Sequence, residues 1–451
     1  MSEPEVHRDE ATRSSHARDF GGIVTATPAG VARPETIDDV LTLMKWALAR
    51  GLTVTPRGGG QSQSGQSLSE GGIVMAMEGM RRLEVDLVRG RARCGPGVRL
   101  RELLAYCTPA GWSPPVVPLN LDLTVGGVLS AGGVGSSSHG CGPAIEHIES
   151  VVVVTGEGER VEATPQHNRA LFDAVLGGAG RCAVLCEATF ILRRAQPSVR
   201  TYSLLFADFA EALEAQRRLT EARCTHLEGF ATSAMMGTRT TPGGSRRAFA
   251  RWFHGIHVSF EYAGSSAPEL PAELPGSPEV VATDDDDLLG HAARYDLRFQ
   301  AMRATGADRQ LHPWFEALIP LEAATALIPE LLQSQPPWLG DGHRETLFAD
   351  RRTRPFFATP GGPAIAFTIL PLGVPEALRE PTLQWLTALD RRVHELGGKR
   401  YLSGWLPDRS PPRWRAHFGE SFDSWQACKR RFDPRGCLSS RMFAALDAEP
   451  E

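Results

Sequence analysis

The sequence of 451 residues lacks a strong charge excess, a long apolar run and closely paired cysteines. Its net charge of -5 provides no positive surface for nucleic acid, so a DNA or RNA partner is not expected. No run approaches the roughly 18 apolar residues of a membrane span, and the opening MSEPEVHRDE contains no apolar leader core. We therefore expect a cytoplasmic protein with no membrane partner.

Cysteine and acidic residues are arranged in ways that do not favour a metal site. The eight cysteines include no C-x-x-C pair, which predicts reduced, mostly buried thiols and neither a zinc site nor a disulfide framework. The acidic run at 284–287 lacks the alternating spacing and the distal glutamate of a calcium loop, so a solvated loop or helix start is expected there.

Local patterns divide the chain into three parts, and its length predicts two or three domains. In residues 33–51, RPETIDDVLTLMKWALARG, apolar positions three and four apart follow a proline and acids, which predicts an amphipathic helix. Short β runs follow, and VVVVTGEGERVE at 151–162 predicts a hairpin that turns at GEG. Residues 200–415 mix longer helices, such as 209–219, with strand-like runs at 252–260 and 364–370, which indicates a separate α+β domain. The last segment, 417–443, predicts a helix ending in an FDP turn.

Two glycine-rich loops carry the main functional signal. The first is TPRGGGQSQSGQS at 55–67, and the second is LTVGGVLSAGGVGSSSHGCG at 123–142. Glycines let successive amides point inward as an anion nest, although a single such loop could equally be a tight structural turn. Neither loop is a P-loop or a G-x-G-x-x-G fingerprint. Together, two such loops can clasp one long cofactor that carries phosphate.

The ordered series of motifs resembles the PCMH-type FAD-binding domain of the vanillyl-alcohol oxidase and berberine bridge enzyme superfamily, and most closely its cytokinin dehydrogenase branch. The series runs ARPET, RGGGQSQSGQS, LTVGGVLS, VTGEG, LGGAGRCAVL and finally FDPRGCL near the C-terminus. The resemblance covers about 200 N-terminal residues and the last thirty or so, with patches such as HPWFEALI at 312–319 between them.

The resemblance implies an α+β fold of two domains. Residues 1–200 and 416–451 would form the FAD-binding domain, and residues 201–415 would form an inserted α+β substrate domain, an antiparallel sheet covered by helices. The implied cofactor is FAD. By the same resemblance, the residues that would hold it are Arg57, Gly58, Gly59, Gly60, Gln61, Ser62, Gln66, Thr124, Gly126, Gly127, Ser130, Gly133 and Val184.

Gln61 departs from the family pattern. Cytokinin dehydrogenases carry at this position a histidine that is bonded to the flavin, whereas an amide nitrogen is not a usable nucleophile at neutral pH. The cysteine of bicovalent relatives has no match before the second loop, and Cys141 lies eighteen positions beyond Leu123 as the remaining candidate thiol. We therefore predict noncovalent FAD.

The catalytic base of the family is also missing. Cytokinin dehydrogenases place an aspartate just before TVGG, and the matched position here is Leu119. The candidates for proton transfer are Asp122, His139 and Tyr401. A substrate carboxylate could be bound by Arg441 or by the arginines at 351, 352 and 354.

The resemblance therefore predicts an FAD-dependent oxidoreductase that takes a hydride from a small molecule to flavin N5 and passes electrons to O2 or another acceptor. A tailoring role in secondary metabolism is implied by relatives. One alternative is an oxidative decarboxylase that forms an alkene or enamide from a carboxylic acid. A second alternative is a flavin-free α/β protein that uses the glycine loops to bind another phosphate compound.

Overall fold

The computed structural model describes residues 3–350 and 354–448, and only the backbone of residues 234–236, 239 and 247–250. The fold is α+β, with several separate sheets. Among the described residues, no helix is both long and apolar enough to cross a bilayer, and no cluster of three or more His, Cys, Asp or Glu side chains could bind a metal ion.

The N-terminal region contains ten strands and six α-helices. The strands are β1 (Gly30–Ala32), β2 (Val54–Arg57), β3 (Ile73–Ala76), β4 (Leu83–Asp86), β5 (Arg91–Cys94), β6 (Trp112–Ser113), β7 (Ile148–Thr155), β8 (Arg160–Ala163), β9 (Ala183–Ile191) and β10 (Arg193–Arg194). The helices are α1 (Glu10–Ser15), α2 (Ile37–Ala49), α3 (Leu100–Cys107), α4 (Val125–Ala131), α5 (Ser138–Cys141) and α6 (Arg169–Val175). A parallel sheet has the order β1-β3-β2, and an antiparallel sheet has the order β4-β5-β9-β7-β8.

The predicted helix and hairpin are both confirmed in this region. Thr36 caps α2 in a capping box with Asp39, and Val40, Leu43 and Met44 are buried on one face of the helix. The hairpin is formed by β7 and β8. The C-terminal segment returns to the same region, because Leu438 bridges to Val54 in parallel.

The middle region begins with β11 (Ser198–Phe206) and contains a further seven strands. These are β12 (His226–Thr240), β13 (Arg246–Tyr262), β14 (Glu279–Asp287), β15 (Phe315–Pro320), β16 (His343–Phe348), β17 (Ala364–Ile369) and β18 (Lys399–Arg400). They form two four-stranded antiparallel sheets, β12-β13-β11-β14 and β16-β17-β15-β18. The two sheets meet where the Gly229 amide of β12 donates to Thr346 Oγ1 of β16 at 2.9 Å.

Helices cover these sheets and complete the C-terminus. They are α7 (Phe209–Glu221), α8 (Leu288–Ala292), α9 (Asp296–Thr305), α10 (Leu321–Ser334), α11 (Arg379–Glu395), α12 (Pro411–Phe418), α13 (Phe422–Phe432) and α14 (Ala444–Asp447). Short 3-10 turns lie at Met77–Gly79, Thr108–Ala110, Ala144–His147, Ala307–Arg309, Pro337–Leu339, Glu376–Leu378 and Gly419–Ser421. The domain boundaries expected at 200 and 416 stay a prediction.

The acidic run corrects one expectation. Residues 284–287 belong to strand β14, which pairs with β11 at the edge of its sheet, rather than to a loop. The edge strand keeps its acidic side chains exposed, and Arg200 on the neighbouring strand pairs with Asp285. Only the last acid, Asp287, has the expected helix-start role, since its carboxylate accepts a hydrogen bond from the Gly290 amide of α8.

Candidate active site

The first glycine loop lines a cavity of about 1580 Å³ with unpaired amides. Within the described part of the chain, the amides of residues 58–62 donate to no other residue. Gly60 has φ +67°, a conformation that side chains rarely adopt, and a Cβ at Gly58 would lie 2.2 Å from Thr124 Oγ1. Five successive donors around a cavity fit a pyrophosphate group, which accepts many hydrogen bonds.

The second glycine loop forms the facing wall. Thr124 caps α4 and accepts a long hydrogen bond from the Gly127 amide at 3.4 Å. Gly126 packs against Pro96, where a Cβ would approach the proline Cβ to 2.8 Å. Residues of both glycine loops thus line the same cavity, which leaves room for an extended ligand between the loops.

Most of the residues expected around a cofactor line this one cavity. They are Arg57, Gly58, Gly59, Gly60, Gln61, Ser62, Gln66, Thr124, Gly126, Gly127 and Ser130. The other two lie elsewhere. The amide of Gly133 donates to the hydroxyl of Tyr401 at 3.0 Å, and Val184 points into the core on the opposite face of β9 from Ala183 and Leu185, which do line the cavity.

The described lining of this cavity contains neither histidine nor cysteine. Gln61 occupies it with an exposed amide side chain. Cys141 lies at the end of α5, where its carbonyl is 3.1 Å from His147 Nε2, and it is not among the lining residues. The residues present therefore fit a bound FAD, and the described lining offers no histidine or cysteine for attaching it.

A second cavity, of about 1160 Å³, lies next to the first. Its walls are mostly apolar. The two cavities share the residues Pro118, Leu119, Val134, Glu316, Leu370 and Tyr401, a set that we call the junction. Leu119, which replaces the family aspartate, is therefore at the point where the two cavities meet.

Glu316 is the junction carboxylate, and the sequence reasoning missed it. It lies on β15, and Ser403 Oγ donates to its Oε2 at 2.6 Å. Burial raises the pKa of Glu316 to about 7, and the Ser403 hydrogen bond and the charge of Arg400 only partly oppose this. The group can thus accept or hold a proton near neutral pH. Glu316 is part of the HPWFEALI motif, but nothing in that motif indicated that its side chain lines the same cavities as Leu119.

Tyr401 also lies at the junction. Its hydroxyl accepts the Gly133 amide, and burial raises its pKa above the ordinary value. The phenol is therefore neutral at physiological pH and positions the second glycine loop.

The other predicted catalytic residues line neither cavity. His139 Nδ1 is 3.2 Å from Thr220 Oγ1 beneath α7, and burial lowers its pKa to about 4. Asp122 accepts a hydrogen bond from Arg101 at 3.2 Å, which turns its carboxylate away from the junction. The stem of Arg441 lies beside Gly65.

Of the predicted arginine cluster, only Arg354 is described, and it lines neither cavity. Arg354 is buried against Phe172 and donates to Asp173 at 3.3 Å. Residues 351 and 352 lie outside the described residues. The arginines that do line the second cavity are Arg294 and Arg344, which no local pattern singled out.

Polar residues gather on one wall of the second cavity. Glu228 accepts hydrogen bonds from Arg294 Nη2 at 2.6 Å and from the Tyr295 hydroxyl at 3.0 Å. Burial alone would raise the pKa of Glu228, but Arg294 and Arg344 outweigh burial and lower it to about 2. Glu228 is therefore a carboxylate whose charge is matched by Arg294.

Comparisons with known proteins agree with this geometry. Residues 28–164 match a family described as an FAD binding domain. The chain is 30% identical to an uncharacterized oxidoreductase, ORF5 in the fasciation locus of Rhodococcoides fascians, over 98% of this chain and 99% of that protein. It is 26% identical to cytokinin dehydrogenase 1 of Arabidopsis thaliana, over 94% of this chain and 80% of that protein. It is 28% identical to cytokinin dehydrogenase 8 of Oryza sativa subsp. indica, over 94% and 89% respectively.

Proposed function

Because the chain belongs to the family of FAD-linked oxidoreductases that includes the cytokinin dehydrogenases, we propose that it oxidises a small molecule in the second cavity, with Glu316 as the proton acceptor. The observation that carries this proposal is the junction, where the half-buried Glu316 carboxylate lines both the cavity that fits FAD and the apolar cavity beside it. In this proposal, the inserted middle region is the substrate domain.

The cofactor is held by the two glycine loops. The unpaired amides of residues 58–62 bind the pyrophosphate, and the loop at 123–131 forms the facing wall. When bound, FAD supplies a two-electron acceptor for hydride from the substrate. Trp314 and Leu402 line the same cavity from the middle region.

Glu316 performs the role that a loop aspartate performs in the resembled family. Oxidation at a carbon beside nitrogen or oxygen releases a proton from that heteroatom, and the Glu316 carboxylate accepts it. Ser403 holds the carboxylate in place by donating to Oε2, so the opposite oxygen remains for the substrate. A pKa of about 7 makes the group basic enough to take the proton while leaving much of it ionised at neutral pH.

The flavin is bound noncovalently in this proposal. The support is the lining of the cofactor cavity, whose described residues include Gln61 but neither histidine nor cysteine. The electron acceptor is O2 or another oxidant, and the secondary-metabolite setting expected from relatives stays a prediction.

Two measurements test the proposal. The purified protein should be yellow, and acid precipitation should leave its flavin in the supernatant; yellow in the pellet would contradict noncovalent binding. A colourless protein that fails to take up added FAD would contradict the proposal as a whole. With any substrate found by screening for flavin bleaching, Glu316→Gln should lower kcat/KM by roughly 10²- to 10⁴-fold, the usual contribution of a general base.

A further inference from the structure

Two residues that line the second cavity each have a buried polar atom without a partner among the described residues. Arg344 Nε and Thr368 Oγ1 are both shielded from solvent, and neither has a hydrogen-bond partner among the described residues. Both residues line the cavity. Leaving a buried polar atom unsatisfied costs stability, so such atoms in a cavity wall are candidates for ligand contacts.

The sheet register places these two residues in a row with the proposed base. Glu316 on β15 is directly opposite Thr368 on β17, and Thr368 is directly opposite Arg344 on β16. Opposed residues share one face of a sheet, and strands lie about 5 Å apart, so the Cα atoms of Glu316 and Arg344 are roughly 10 Å apart. The row thus runs from the junction into the second cavity.

Arg344 is the arginine of this wall that forms no direct ion pair among the described residues, although its charge acts on Glu228 from a distance. Among the described residues it has no carboxylate within 4.0 Å, whereas Arg294 is paired with Glu228. Burial lowers the pKa of the two lining histidines, His226 and His291, so both are neutral near pH 7. The Arg344 guanidinium carbon lies 5.1 Å from the centre of the Tyr295 ring. One cation beside a hydroxyl suits a single negative charge, and the nearby Glu228 carboxylate opposes a dianion such as phosphate.

We propose that the substrate is a hydrophobic molecule with one carboxylate, which is bound by the side chains of Arg344 and Thr368. The mostly apolar remainder of the cavity accommodates the hydrophobic body. This inference rests on the proposed function for its reacting end, because Glu316 marks where oxidation occurs. The substrate carboxylate then lies two strands away from Glu316, the proposed base. It is therefore a binding group that the product keeps, and it is not lost as CO2.

Calorimetry on the FAD-loaded protein at pH 7.5 tests the inference without turnover. The probes are 4-phenylbutanoate and its neutral isostere 4-phenylbutanamide. We expect the acid to bind tenfold to a hundredfold more tightly than the amide, the range for one charge-assisted contact. Arg344→Gln should reduce this preference to within about twofold, and Thr368→Val should reduce it about threefold to tenfold.

Arg392→Gln is the matched control, since it removes an exposed arginine paired with Glu330 on the far side of the middle region and should leave the preference unchanged. Equal affinity of acid and amide for the unmodified protein would overturn the inference, as would a full preference surviving in Arg344→Gln. If Arg344→Gln fails to fold, Thr368→Val decides, because it is close to isosteric. Flavin content is measured separately, so loss of FAD would count against the proposed function and not against the carboxylate site.

Discussion

Replacing Glu316 by glutamine should change how the stability of the protein depends on pH. Glu316 is half-buried at the junction, and loss of hydration raises its pKa from the ordinary 4.5 to about 7. For a carboxyl group with a raised folded-state pKa, the stabilising contribution is fully present below the unfolded value and is lost as pH rises through the folded value. Moving the pKa from 4.5 to about 7 corresponds to about 3 kcal/mol of folding free energy. Unmodified protein should therefore lose about 3 kcal/mol between pH 4.5 and pH 8 that Glu316→Gln does not lose.

Thermal unfolding between pH 5 and pH 8.5, in excess FAD, measures this difference. We expect the Tm of Glu316→Gln to rise relative to the unmodified protein by a few degrees as pH increases. Glutamine keeps an oxygen for the Ser403 hydroxyl, so packing is preserved. Asp19, whose pKa burial raises to about 6, titrates in both proteins and cancels. Glu279→Gln, at an exposed position on β14, should show no trend. A constant Tm difference across this range would refute the raised pKa of Glu316.

Three further changes give separate expectations. Gly60→Val should yield protein with little bound flavin, measured by absorbance after purification, because a β-branched residue at φ +67° displaces the amides that line the cavity; retention of full flavin would contradict the nest. His139→Asn should leave kcat/KM within about threefold, since the imidazole lines neither cavity and a general base would contribute far more; a hundredfold loss would restore His139 as the base. Tyr401→Phe should lower stability by about 1–3 kcal/mol, because the Gly133 amide loses its acceptor; an unchanged Tm would contradict that contact.

Local signals were enough to predict the elements and the two glycine loops. The capping residues and apolar spacing of α2 lie within one segment, and so do the turn glycines between β7 and β8. The expectation that residues 58–62 bind an anion came from the glycines of the first loop together with the second glycine loop. Such features need no knowledge of distant partners, and this is why they can be read from a single sequence.

The polar row of the second cavity could not be predicted in this way. Glu316, Thr368 and Arg344 come together only through strand pairings between segments that are 24 to 52 positions apart in the chain. The face of a strand on which a given residue lies was equally hard to read from a motif. Val184 was expected at the cofactor, but the alternation of β9 presents its neighbours instead. His139 was expected on an open loop, but α7 covers it.

Leu119 and Glu316 are best understood as one arrangement. Both line the two cavities, so a carboxylate at position 119 would face the carboxylate of Glu316 across the junction. Two carboxylates at one buried site cannot both ionise, and the second would push the pKa of Glu316 well above 7 and leave it protonated. An apolar residue at 119 removes that repulsion. If Glu316 is the base, as proposed, then leucine at the position matched to the cytokinin dehydrogenase aspartate and glutamate on β15 have one electrostatic explanation.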